Sequence, residues 1–136
     1  MKTRAFFLLL SIISIPCFSQ APDIKGAWTL TEVDYISDDG NQKMSEQVLK
    51  TTGSYTEISF QDDHHFRQVT NMSGSGKTET YEGTWNLDAG KLTFEFSLEG
   101  KPVTIAWDFE MSGELIKLTR SNPDKTITIT NFYRKK

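Results

Sequence analysis

The chain has 136 residues, 37% hydrophobic and 24% charged, which fits a single domain. A formal net charge of -3 argues against a general nucleic-acid binder, which carries a basic surface. The only cysteine is Cys17, so a disulfide framework is excluded and stability has to come from a packed core.

The first segment reads as a targeting signal. Lys2 and Arg4 precede an apolar run over 5–15, followed by Pro16, Cys17, Phe18, Ser19 and Gln20. A basic start, a short apolar centre and small residues near the end describe a secretory signal peptide. The run is too short for a comfortable membrane span, which needs about 20 apolar residues. Cleavage is expected after Ser19, giving a signal peptide over 1–19 and one domain over 20–136. Acylation of Cys17 would instead anchor a lipoprotein. Pro16 fits poorly in the sequence such anchoring requires, so soluble export to the periplasm or the medium is the preferred reading. No later apolar run is long enough to cross a membrane.

The segment 24–36 reads as the first strand and opens with Gly26-Ala27-Trp28. The glycine allows a sharp backbone turn, and the indole offers a large apolar plug for one end of a β structure. A dense turn signal follows over 37–42. Residues 44–50 alone have helical character. Ser45 is a candidate cap, and Val48 and Leu49 form a thin apolar face, so a short helical turn or loop ending near Gly53 is expected.

From residue 54 onward the pattern is β. Strands are predicted over 55–60, 65–72, 77–87, 91–98, 102–111, 114–120 and 125–134, with turn residues between them. The alternation is most regular in two of them. Leu92, Phe94, Phe96 and Leu98 share one side, as do Val103, Ile105, Trp107, Phe109 and Met111. In 125–134, Ile127 and Ile129 oppose Thr126, Thr128 and Thr130. Short connections make neighbours antiparallel. Eight such strands hide both sheet edges by closing, which gives an all-β, eight-stranded antiparallel up-and-down barrel.

Several residues that could carry chemistry have simpler explanations. His64 and His65 stand beside Asp62 and Asp63, but neighbours on a strand point to opposite faces, and no further histidine exists to complete a metal shell. A solvated turn is favoured there. The run over 38–41 lacks the spacing of a calcium loop. Residues 73–78, SGSGKT, lack the first glycine and the helix of a phosphate loop, and read as a hairpin tip. Asn71-Met72-Ser73 is a weak glycosylation sequon. Asp108 and Glu110 lie opposite Trp107 and Phe109, which puts them outside. No nucleophile has an obvious histidine partner. No catalytic residue, metal or cofactor is assigned, and an enzyme is not expected.

Export, Gly26-Ala27-Trp28, an eight-strand meander and Arg134 near the end of the last strand together resemble the lipocalin family, and most closely its short bacterial lipocalin-like, calycin-type members. The resemblance covers nearly all of 20–136. It implies that Gly26 and Trp28 close the barrel base and that a late arginine packs across the indole, with Arg134 the first candidate and Arg120 the second. The chain is shorter than a typical lipocalin, lacks the usual disulfide and has no long helix after the last strand. A second Gly-x-Trp, Gly83-Thr84-Trp85, reads as a second plug or a bulge marker.

The resemblance implies non-covalent binding of a small apolar or amphipathic molecule. Phe66, Gln68, Phe94, Phe96, Trp107 and Phe109 are the expected ligand-binding residues, with Arg67 and Tyr81 as further polar candidates and 37–53 at the mouth. An eight-stranded barrel is only just wide enough for its own side chains or one small ligand. The alternative is therefore a filled barrel acting through its outer surface in the cell envelope. The partners expected are a small hydrophobic ligand, no nucleic acid and no membrane span, and a protein partner is left unspecified.

Overall fold

A computed structural model describes residues 22–72 and 76–136. The expected signal peptide over 1–19, with Cys17, and residues 73–75 lie outside the described residues.

The elements in chain order are β1 (Gly26–Ser37), β2 (Gly40–Met44), α1 (Glu46–Thr52), β3 (Tyr55–Phe60), β4 (His65–Asn71), β5 (Glu79–Asp88), β6 (Lys91–Leu98), β7 (Lys101–Ser112), β8 (Leu115–Ser121) and β9 (Ile127–Lys135). Each neighbouring pair is antiparallel, and β1 pairs with β9 to close the sheet. The result is the expected eight-stranded barrel, built from β1 and β3 to β9.

β1 is long enough to have two partners on one side. Gly26 to Thr29 pair with β3, and Val33 to Ser37 pair with β2. β9 runs along its other edge, with the register shifting between Leu30 and Glu32. There the Thr31 hydroxyl donates to the Phe132 carbonyl at 3.2 Å.

β2 corrects the expected turn over 37–42, which shrinks to Asp38 and Asp39. Its residues Gly40 to Lys43 are exposed and polar, so its pairing rests on backbone hydrogen bonds that leave no apolar pattern. α1 is a seven-residue helix, longer than one turn. The Ser45 hydroxyl accepts from the Val48 N–H at 3.4 Å, and Gly53 ends the helix. Only Leu49 of its thin apolar face is buried, while Val48 is 43% exposed.

Because the strands alternate in direction, one end of the barrel carries the turns at 61–64, 89–90 and 113–114 and is filled. Ile24, Trp28, Phe60, Trp85, Leu92 and Phe109 are all buried, and Trp28 and Leu92 are fully so. Each such large side chain contributes roughly 1.5–3 kcal/mol through burial. Gly26 starts β1 at φ 114, a conformation that L side chains rarely adopt, so the chain turns immediately before the plug. The Trp28 indole N–H donates to the Ile24 carbonyl at 2.8 Å, which satisfies its one donor inside the core.

The cation over Trp28 is Lys135, its Nζ 5.7 Å from the ring centroid. This corrects the expectation for Arg134. Tyr133 is buried, so alternation turns Arg134 outward, where its guanidinium lies 3.5 Å from Glu46. Lys135 is the register partner of Trp28, and Arg134 that of Thr29.

The second Gly-x-Trp is also a plug. The Trp85 indole donates to the His65 carbonyl at 3.0 Å and meets the Phe60 ring edge-on at 5.4 Å. At Gly83 a Cβ would collide with the Glu95 carbonyl oxygen, so β5 and β6 approach there more closely than any side chain permits.

Candidate functional site

The other half of the barrel encloses a cavity of about 420 Å³. That volume lies within the ~300–1,000 Å³ of small-molecule sites. It opens toward the end that carries the β1–β2 turn, the β4–β5 connection and the turns at 99–100 and 122–126.

Its walls follow from the pleat. Phe94 on β6 pairs with Ile105 on β7 and with Trp85 on β5, and Phe96 pairs with Val103 and Gly83. With no side chain at Gly83, the rings of Phe66 and Phe96 meet edge-on at 6.2 Å across that position. Phe66 also packs edge-on against Phe94 at 4.8 Å. These contacts form the boundary between the filled base and the open half.

Of the expected binding residues, Phe66, Gln68, Phe94, Phe96 and Trp107 line the cavity. Phe109 does not. It pairs with Leu118 on the same inward face as Trp107, but two residues nearer the base, where it is 9% exposed within the core. Tyr81 also lines the cavity, and its hydroxyl donates to Glu79 at 2.7 Å. The Glu79 carboxylate holding that proton, together with desolvation, raises the Tyr81 pKa above the ordinary tyrosine value. Arg67 points outward to Glu82 at 3.1 Å.

Sequence reasoning missed part of the polar wall. Asn131 and Tyr133 on β9 and Thr56 and Thr70 on β3 and β4 all line the cavity. The signal was present, because Asn131 and Tyr133 continue the face of Ile127 and Ile129. The Thr56 and Thr70 hydroxyls are 2.7 Å apart and join their strands from within. Tyr133 is buried, and desolvation pushes its phenol up to about 12 against a weaker opposing hydrogen bond from Asn131.

At the rim, the Arg120 guanidinium lies 6.0 Å from the Trp107 ring centroid. Arg120, the second candidate for the base, thus lies at the mouth. The histidine pair is at the opposite end. His65 contacts Asp63 at 2.9 Å, and the His64 ring lies 4.8 Å from that of Trp85. Among the described residues, no group of three or more His, Cys, Asp or Glu side chains gathers. Asp108 and Glu110 are outside, paired with Lys91 at 2.8 Å and Lys117 at 3.4 Å.

The arrangement can enclose an apolar body and offer hydroxyl and amide partners along part of its surface. A family model described as a lipocalin-like domain matches residues 24–132. No curated protein matches the chain.

Proposed function

The chain belongs to the lipocalin-like domain family, and from that premise we propose that it is an exported protein holding a small apolar or amphipathic molecule inside its barrel. Lipocalin-like barrels are typically binding proteins rather than enzymes, and this reading assigns no catalytic residue. The observation that carries it is the cavity of about 420 Å³ above the Phe66–Phe94–Phe96 layer. A barrel filled along its whole length, acting only through its outer surface, would leave no such space. The N-terminal basic and apolar pattern supports export, and on this reading binding occurs in the periplasm or outside the cell.

The test is uptake of N-phenylnaphthylamine, a neutral apolar fluorophore, by the purified protein. Saturable enhancement is expected, weakened about tenfold or more by Phe96→Asp, which places a charge on the wall. Glu95→Ala, on the exposed side of the same strand, serves as the control and should bind as the wild type does. Absence of uptake, or uptake unchanged by Phe96→Asp in a folded variant, would count against the reading.

A further inference from the structure

The cavity wall is uneven in polarity. β6, β7 and β8 present apolar and aromatic side chains to it, Phe94, Phe96, Ile105, Trp107 and Leu118 among them. Hydroxyl and amide groups come from the remaining arc, with Gln68 and Thr70 on β4, Thr56 on β3, and Asn131 and Tyr133 on β9. Among the described residues no Asp, Glu, Lys, Arg or His lines the cavity.

Toward the rim the inward register carries charges of both signs, with Lys101 exposed beside the lining residue Leu98. Glu79 pairs with the cavity-lining Thr70 and is engaged by the Tyr81 hydroxyl. Arg120 lies over Trp107. Both are exposed, where a charge is well hydrated and attracts weakly. The net charge of -3 does not steer anions toward the molecule either.

An anionic head drawn into this wall would lose its hydration and find no counter-charge. A hydroxyl, carbonyl or amide would exchange water for the Gln68 and Asn131 amides, which offer both donors and acceptors. The Tyr133 phenol is neutral across the physiological range, as an ordinary tyrosine is, and offers a further uncharged hydroxyl.

Building on the binding reading above, we propose that the cavity selects uncharged amphipathic molecules, bearing hydroxyl, carbonyl or amide groups, over anionic amphiphiles such as fatty carboxylates. The polar groups of the ligand face the β3–β4 and β9 arc, and its apolar body lies against β6 to β8.

Two fluorophores of one skeleton test this. N-phenylnaphthylamine is neutral, and anilinonaphthalene sulfonate adds one anionic group. At neutral pH the neutral probe is expected to bind at least about tenfold more tightly. Gln68→Lys, which places a cation on the polar arc, should narrow or reverse that preference while circular dichroism stays unchanged. Equal or tighter binding of the sulfonate by the wild type would overturn the proposal. Failure of both probes to bind would overturn the binding reading itself, and this proposal with it.

Discussion

Tyr133 links burial to charge more tightly than Tyr81 does. Its pKa in the folded protein is raised to about 12 from the ordinary tyrosine value of 10.0, so folding favours the protonated phenol. The contribution is complete below the unfolded value and is lost as pH rises through the folded one. Between about pH 10 and about pH 12 the wild type should lose stability on the order of 2–3 kcal/mol more than Tyr133→Phe. Urea unfolding of both proteins at either end of that window reads the difference. Parallel slopes with pH would show that the phenol is not buried in a neutral form. Tyr133 and Asn131 were legible as inward residues, since they keep the parity of Ile127 and Ile129. Depth was not legible, because alternation gives a face and not a height along the barrel. For that reason Phe109 and Trp107 looked equivalent, although one fills the base and the other lines the cavity. Arg134 and Lys135 are adjacent cations, and only the register of β9 against β1 decides which reaches Trp28.

Among the elements, β5 depends most on a single position. Gly83 lies between Phe66 on β4 and Phe96 on β6, and a Cβ there meets the Glu95 carbonyl oxygen and the Phe96 Cβ. The obstacle is largely backbone, so side-chain repacking cannot relieve it. Gly83→Ala is expected to destabilise the protein by about 1–3 kcal/mol in chemical denaturation. Thr84→Ala, one residue on and exposed, should stay within about 0.5 kcal/mol. A Gly83→Ala variant as stable as the wild type would show that β5 and β6 are not in this close contact. The eight staves were legible because turn residues separate them and because β6, β7 and β9 carry apolar residues at every second position. β2 was not, because Gly40 to Lys43 are exposed polar residues whose pairing uses only the backbone. The extent of α1 was hidden for a related reason, since Leu49 is its one buried apolar residue.

At the scale of the molecule, the barrel has one filled end and one open end. The base, closed by Trp28, Phe60, Trp85 and Phe109, supplies the core of a domain built without a disulfide. The outer ion pairs, such as Lys91–Asp108 and Arg67–Glu82, are exposed and contribute little to stability. The open half forgoes packing that a filled barrel would have, and a ligand seated there would restore those contacts and stabilise the fold by mass action. The measurement that bears most directly on this account is native mass spectrometry of the protein purified from its own host, followed by denaturing extraction. The account predicts a co-purifying small molecule, uncharged and amphipathic, released on denaturation and absent from Phe96→Asp. A clean unliganded mass, in a sample that also takes up no apolar probe, would contradict it.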